Sequence, residues 1–154
     1  MKTILIVVIG SPGSGKSYYM KNKLEPLGFY AFDDIFAEAV DNIGDMKHSK
    51  FKDELIKRLG NRENCVIADV RFSQKNKQED LKDFVKIYFS NSVEIQWHCF
   101  ENNPDICIKN VKKRNIEKSK KQIELINELS MNYIIPANAK IMKTIDVSIA
   151  NVYK

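Results

Sequence analysis

The sequence has few of the residues that build metal centres, disulfide scaffolds or membrane spans. It contains three cysteines and two histidines, with no Cys-x-x-Cys pair and no histidine cluster near a cysteine. This spacing offers neither a zinc-site pattern nor a disulfide framework. We therefore expect Cys65, Cys99 and Cys107 to be reduced thiols in the core. No apolar run approaches the roughly 20 residues that a membrane span needs, so no membrane association is expected.

The composition is that of an ordinary globular protein. Hydrophobic residues make up 44% and charged residues 29% of the chain, which argues against disorder. A chain of 154 residues can bury one sizeable core, so we predict a single domain over residues 1–154. The net charge of +5 is compatible with a nucleotide or nucleic-acid partner. The apolar run Thr3–Ile9 leads into a glycine-rich turn instead of a cleavage site, which favours a buried strand of a cytoplasmic protein over a signal peptide.

Short β-branched runs alternate with longer segments of helical period. The expected strands are Thr3–Ile9, Phe29–Phe32, Cys65–Val70, Val93–Phe100 and Lys140–Val147. The expected helices are Gly15–Leu24, Asp34–Ile43, Ser49–Leu59, Asn76–Phe89, a helix from Asn103 to about Asn115, and one from near Lys120 to before Pro136. This alternation predicts a three-layer α/β fold with a five-stranded, mostly parallel sheet. In such sheets the ligand lies at the carboxyl ends of the strands.

A phosphate-binding pattern follows the first strand. The matching residues are Gly10, Ser11, Pro12, Gly13, Ser14, Gly15, Lys16 and Ser17, which fit G-x-x-x-x-G-K-[ST] at every fixed position. The glycines let the backbone turn its N–H groups toward a phosphate, and the helix start adds unpaired donors. Lys16 supplies a positive charge for the β and γ oxygens, and the Ser17 hydroxyl can ligate Mg²⁺. The pattern predicts a P-loop fold that binds ATP, with GTP as the alternative donor.

Acidic side chains follow the second and third predicted strands, at the edge of the sheet that carries the phosphate loop. Because P-loops serve kinases, GTPases and regulators alike, a second site must decide the function. Asp33 is the candidate general base for an acceptor hydroxyl. Asp33 and Asp34 are expected to bind the acceptor, with a helix cap as the alternative role. Asp69 is expected to hold Mg²⁺ or the acceptor and Arg71 to meet an anionic group, with a local salt bridge as the alternative.

A basic stretch spans the break between the last two predicted helices. Its cations are Lys109, Lys112, Lys113, Arg114, Lys118, Lys120 and Lys121. The functional interpretation is a small helical lid at about residues 109–121 that closes over the triphosphate; the alternative is a solvated helix face. Arg114 is the predicted nucleotide-binding and catalytic residue, because a guanidinium can grip phosphate oxygens through two hydrogen bonds.

These residues give the chain a resemblance to the kinase domain of 5′-polynucleotide kinases and related small P-loop kinases. The matching segments are Gly10–Ser17, Phe29-Tyr30 with Asp33-Asp34, Val66–Asp69 and Val111–Asn115, within roughly residues 4 to 136. The resemblance implies that Asp33 is the general base, that Asp69 lies near the acceptor and that Arg114 lies near ATP. Phe32 and Phe36 stand where the family tends to offer arginines to a nucleic-acid phosphate.

The predicted function is transfer of the γ-phosphoryl group of ATP, with Mg²⁺, to a hydroxyl of a nucleic acid or its component. One alternative is a small nucleoside or nucleotide kinase, whose acceptor would be bound by Arg71 or Arg58. A second alternative, from another class, is a nucleotide-binding regulatory protein without transfer activity.

Overall fold

The computed structural model describes residues 2–36, 45–114 and 116–147, except for the side chains of residues 116 and 118. Its strands are β1 (Thr3–Ile9), β2 (Tyr30–Phe32), β3 (Cys65–Ala68), β4 (Val93–Phe100) and β5 (Lys140–Met142). Its α-helices are α1 (Lys16–Tyr19), α2 (Lys52–Gly60), α3 (Lys75–Phe89), α4 (Pro104–Arg114) and α5 (Ile116–Met131). The strands form one sheet in the order β2-β3-β1-β4-β5, and every pairing is parallel. The predicted α/β architecture is confirmed.

Strand β1 lies at the centre of the sheet, because both of its faces are apolar and both are covered. In the register, Val8 pairs with Ala68 of β3 and with His98 of β4. The carboxyl ends of the three strands therefore reach the same edge of the sheet. The loop that begins at Gly10 and the segment that begins at Asp69 emerge side by side at that edge.

Tertiary contacts shift several predicted boundaries. Helix α1 continues as a π-helical turn, Met20–Leu24. Strand β3 ends at Ala68 because Asp69 caps the 3₁₀ turn Val70–Ser73. Helix α2 begins at Lys52 and not at Ser49, whose hydroxyl instead bonds the carbonyl oxygen of Ile35 at 2.6 Å.

Two further boundary predictions were wrong. Helix α5 begins at Ile116 and not near Lys120, which shortens the predicted break between the lid helices. Strand β5 ends at Met142 and not at Val147, since the amide of Ile145 is drawn to Ser14 O at 3.3 Å. The predicted helix at 34–43 lies mostly outside the described residues, since residues 37–44 are not among them. Residue 115, the predicted end of the helix from Asn103, is not among them either.

The cysteines are buried thiols, as expected. Burial raises the pKa of Cys65 and of Cys99 to about 12 and that of Cys107 to about 11, so all three are protonated at neutral pH. Within the described ranges, no helix is long and apolar enough to cross a membrane.

Candidate active site

The phosphate loop requires glycine at two turning points. Gly13 and Gly15 have φ values of 81° and 108°, a region that strains residues with a Cβ. A Cβ on Gly13 would also lie 2.6 Å from the carbonyl oxygen of Cys107 in α4. The loop therefore packs closely against α4 and leads into the first turn of α1. This concave backbone, at the start of a helix, suits a polyphosphate.

Lys16 is held inside the loop. Only 8% of the residue is exposed, and its Nζ donates a hydrogen bond to the carbonyl oxygen of Ser11 at 3.3 Å. Burial lowers the pKa of Lys16, while the negative charges of Asp33, Asp34 and Asp69 act in the opposite direction. A buried ammonium group with acidic neighbours is a strong local source of positive charge for an anionic ligand.

Most, but not all, of the predicted site residues line a cleft with a volume of about 300 Å³; Gly10, Ser11, Ser14, Asp69 and Arg71 do not. Its lining comes from the phosphate loop, the turn after β2, the start of the β3–α3 connection, and helices α4 and α5. The lining residues are Pro12, Gly13, Gly15, Lys16, Ser17, Asp33, Asp34, Val70, Arg114, Gln122 and Leu125. Gln122 and Leu125 had no signal in the sequence as site residues. The arrangement can hold a phosphorylated ligand between a buried cation, two carboxylates and a guanidinium.

The turn after β2 supplies two carboxylates with different environments. Asp33 accepts a hydrogen bond from the Ser17 hydroxyl at 2.5 Å and from the amide of Asp34 at 2.9 Å. Asp34 has a φ of 49°, a left-handed conformation that aspartate tolerates better than most residues. Burial raises the pKa of Asp34, and the charges of Asp33 and Asp69 raise it further. Asp33 is thus held at the P-loop, while the surroundings of Asp34 raise the pKa of its carboxyl.

Asp69 anchors this turn from beneath. Its Oδ2 accepts the amide of Phe36 at 3.1 Å, and its Oδ1 accepts the amide of Arg71 at 2.9 Å. The guanidinium of Arg71 donates to the carbonyl oxygen of Phe36 at 3.2 Å and lies 4.0 Å from Asp69. Neither side chain lines the cleft. The pair thus forms the local contact considered as the alternative, and direct contact of either side chain with a metal or an acceptor stays a prediction.

Arg114 is the last residue of α4 and lines the same cleft as Asp33. The neighbouring Lys112 and Lys113 are exposed and do not line the cleft, nor do the exposed Lys120 and Lys121. Lys109 pairs with Asp146 at 3.2 Å. The side chain of Lys118 lies outside the described part of the chain. Of the cations of this basic stretch whose side chains the structure describes, Arg114 lines the cleft; its role in nucleotide binding stays a prediction.

Arg58 is not part of this site. Its guanidinium lies 3.4 Å from the ring centroid of Tyr30 and pairs with Glu54 and Glu63 at 2.9 and 2.8 Å. Tyr30 opens β2, at the end of the sheet opposite the phosphate loop. The suggestion that Arg58 contacts an acceptor was therefore wrong. Phe32 and Phe36 are also buried, in the core.

Metal binding would depend on few protein groups. Over residues 2–36, 45–114 and 116–147, no cluster of three or more His, Cys, Asp or Glu side chains could hold an ion. The hydroxyl of Ser17 directs its hydrogen at Asp33, which leaves its lone pairs for a cation. The donor set is hard oxygen, which suits Mg²⁺ with most of its ligands from phosphate and water.

A larger cavity of about 480 Å³ lies between α1 and the β4–β5 side of the sheet. Its lining is mainly apolar and includes Tyr19, His98 and Lys140, but no carboxylate. We assign the candidate active site to the smaller cleft, because the phosphate loop and two acids meet there.

Comparison with known proteins gives one relative over nearly the whole chain. The uncharacterized protein R277 of Acanthamoeba polyphaga mimivirus is 31% identical over 152 residues, which cover 97% of each chain. The chain belongs to the family of this mimivirus protein. No protein-family model matches the sequence.

Solved structures with a similar fold include two kinases and a chain of an RNA repair complex. A gluconokinase from Sinorhizobium meliloti 1021 superposes with a TM-score of 0.61 at 15% identity, over 92% of this chain and 83% of that one. A fungal RNA kinase gives 0.59 at 14% identity, over 93% and 74%. A chain of the Pnkp1/Rnl/Hen1 RNA repair complex gives 0.50 at 23% identity, over 90% of this chain and 50% of that one. The chain therefore has the fold of P-loop kinases, as its resemblance to polynucleotide kinases predicted.

Proposed function

We propose that the chain is an ATP-dependent kinase that transfers the γ-phosphoryl group to a hydroxyl of a nucleic acid or its component. The observation that carries this proposal is the meeting of Ser17 and Asp33. The two side chains are in contact at 2.5 Å, and a cleft that also contains Lys16 and Arg114 surrounds them. A phosphate loop alone serves many functions. A carboxylate held beside the loop, in a cleft that an arginine also lines, supplies the groups that phosphoryl transfer to a hydroxyl uses.

The proposed reaction assigns a role to each of these groups. The loop amides and Lys16 hold the phosphates of ATP and counter their charge. Asp33 orients the acceptor hydroxyl and accepts its proton as the acceptor oxygen bonds to the γ-phosphorus. The bond between that phosphorus and the β–γ bridging oxygen breaks, and ADP leaves. Arg114 stabilises the charge that spreads over the transferred group. The protein supplies alignment and charge, with little covalent chemistry of its own.

In the proposal, the Ser17 hydroxyl would hold Mg²⁺ directly; Asp33 is the carboxylate bonded to that hydroxyl, whereas Asp69 bonds the amide of Phe36. Bound Mg²⁺ would supply charge neutralisation between the β and γ phosphates. Asp69 then acts on the site through the turn that it anchors. The proposal takes residues 1–154 as one domain, with a lid at about residues 109–121.

The choice of a nucleic-acid acceptor has independent support. Two of the similar solved structures are named for RNA chemistry, a fungal RNA kinase and an RNA repair complex. The net charge is +5, and exposed Lys112, Lys113, Lys120 and Lys121 are close in sequence to Arg114 and Gln122, which line the cleft. Exposed cations near a phosphoryl-transfer cleft favour a polyanionic acceptor over a neutral one.

The test is transfer of label from γ-labelled ATP to a panel of acceptors. The panel contains 5′-hydroxyl DNA and RNA oligonucleotides, nucleosides, nucleoside monophosphates and gluconate, the last because a gluconokinase shares the fold. Label on oligonucleotides supports the proposal as stated. Label on monomers alone replaces it with a small-molecule kinase. Binding of Mg-ATP without label on any acceptor favours the regulatory alternative, and GTP in place of ATP identifies the donor.

A further inference from the structure

One amide side chain joins the phosphate loop to the segment beyond β5. Asn110 lies in α4 and is 0% exposed. Its Nδ2 donates hydrogen bonds to the carbonyl oxygens of Gly13 at 2.8 Å and of Ile145 at 2.5 Å. Its Oδ1 accepts the amide of Val147 at 3.1 Å. A single buried side chain thus satisfies three backbone groups on two separate segments, with both amide hydrogens in use.

Ile145 in turn contacts the phosphate loop. Its amide donates to the carbonyl oxygen of Ser14 at 3.3 Å. Its Cδ1 lies 2.9 Å from the position that a Cβ on Gly15 would take. The loop is therefore held from two directions, directly by Asn110 at Gly13 and indirectly through Ile145 at Ser14 and Gly15.

The bond to Gly13 also decides where a carbonyl oxygen points. Gly13 has a φ of 81° and lines the candidate cleft, yet its carbonyl oxygen is bonded to a side chain of α4. A carbonyl oxygen aimed into the cleft would repel phosphate oxygens, because it carries the negative end of the peptide dipole. Arg114 lies one helical turn beyond Asn110 on the same face of α4. The same side chain therefore fixes the loop relative to the helix that carries the cleft's guanidinium.

We propose that Asn110 is a positioning residue for nucleotide binding: it keeps the Gly13 carbonyl out of the phosphate cradle and sets the distance between the loop and Arg114. This inference rests on the proposed binding of ATP. It assigns Asn110 no contact with the nucleotide, so its effect must pass through the conformation of the loop.

The discriminating variant is Asn110→Asp. The carboxylate keeps an acceptor for Val147 but loses both donors and faces the carbonyl oxygens of Gly13 and Ile145. Burial and this repulsion raise the pKa of the new carboxyl, so its protonated form, which has one O–H donor, becomes populated as the pH falls. The Kd for Mg-ATP, measured by calorimetry, should exceed the wild-type value on the order of 10-fold at pH 8. The ratio of the Kd of Asn110→Asp to the Kd of the wild type should fall toward one as the pH is lowered to 5.5.

Gln78→Glu is the matched control. Gln78 is 3% exposed, and its Nε2 donates to the carbonyl oxygens of Phe72 at 2.8 Å and Ile134 at 2.9 Å, away from the phosphate loop. The same amide-to-acid change there should lower the melting temperature as Asn110→Asp does. It should leave the Kd for Mg-ATP within about 2-fold of wild type at every pH, since P-loop geometry is untouched.

The outcomes separate this inference from the proposed function. If the wild-type chain binds neither Mg-ATP nor Mg-GTP, the proposed function fails. If the wild type binds ATP and Asn110→Asp binds it equally well across the pH range, Asn110 has only a structural role.

Should Asn110→Asp fail to fold, Asn110→Ser takes its place, because the hydroxyl keeps one donor. A folded Ser variant with wild-type affinity would overturn the inference, and a several-fold loss without pH dependence would support it.

Discussion

The hydroxyl of Ser17 donates a hydrogen bond to Oδ2 of Asp33 at 2.5 Å, across 16 positions of the sequence. This contact links the start of α1 to the turn after β2, two strands away from β1 in the sheet. The other carboxylate oxygen of Asp33 is held by the amide of Asp34. Asp33 is therefore oriented from both sides, which is the condition for a carboxylate to receive a proton from a bound hydroxyl at a fixed distance.

Asp33→Asn should abolish phosphoryl transfer while ATP still binds. The amide has one oxygen, so it keeps only one of the two hydrogen bonds, and it cannot take a proton; turnover should therefore fall about 10²- to 10⁴-fold. The Kd for Mg-ATP should stay within about 3-fold of wild type, because Lys16 and the loop amides are unchanged. Single-turnover transfer and calorimetry measure the two quantities on the same preparation.

Asp34→Asn is the control for that experiment. It makes the same chemical change one residue away, in the same cleft, and should raise the KM for the acceptor more than it lowers kcat. Asp33 would be excluded as the base if Asp33→Asn kept wild-type turnover. It would also be excluded if Asp34→Asn lowered turnover by the same factor as Asp33→Asn.

Asp69→Asn should destabilise the fold through the turn that it anchors. An asparagine offers one oxygen, so either the amide of Phe36 or that of Arg71 loses its acceptor in a buried setting. We expect a loss of about 1–3 kcal/mol in the free energy of unfolding, measured with urea. Asp80→Asn is the matched control. Asp80 accepts a hydrogen bond from one backbone amide, that of Met46, and the single oxygen of an asparagine can still accept it.

The Asp69→Asn variant also distinguishes a role of Asp69 in anchoring the turn from a role in binding Mg²⁺. If Asp69 anchors the turn, the Mg²⁺ concentration for half-maximal activity should stay within about 3-fold of wild type. An increase of about 10-fold or more, with the free energy of unfolding unchanged, would instead give Asp69 a direct role at the metal.

The sequence was most informative where structure is local. The phosphate loop depends on glycines and a lysine at fixed spacing, and the strands β1 and β3 depend on continuous apolar runs, so a pattern within a few residues is sufficient. The placement of Asp33 and Asp69 at one edge follows from the parallel sheet alone. For the phosphate loop, these strands and the acids that follow strands, the place of a residue in the sequence is sufficient to predict its place in the fold.

The remaining features depend on contacts between distant segments. Asn110 reads as one polar residue in an amphipathic helix, yet it joins two backbone segments. Asp69 has the form of a strand-end ligand, but its oxygens are used by backbone amides that no local pattern predicts. Gln122 and Leu125 line the cleft from α5, although the predicted helix already contained both residues without a sign of this role. Side-chain bonds across elements leave no periodic signal, so the sequence alone could not reveal them.

Arg114→Ala should lower kcat about 10²- to 10³-fold and raise the KM for ATP by a smaller factor, because charge on the transferred group develops in the transition state. Lys113→Ala is the matched control, since Lys113 precedes Arg114, is exposed and does not line the cleft. It should stay within about 2-fold of wild type in both parameters. Equal losses in the two variants would indicate a general effect of lid charge and would remove the specific role of Arg114.

His98→Gln should flatten the dependence of stability on pH. Burial, together with the charge of Lys140, lowers the pKa of His98 to about 4, against about 6.5 for an unfolded chain. The folded state therefore favours the neutral ring, whose Nδ1 lies 2.6 Å from the Tyr19 hydroxyl. Its contribution is complete above about pH 6.5 and is lost as the pH falls toward 4, roughly 1–3 kcal/mol after allowance for partial exposure. Urea unfolding at pH 7 and pH 4.5 should show a smaller loss for the variant than for wild type, since glutamine does not titrate; equal losses would show that His98 is not the group responsible.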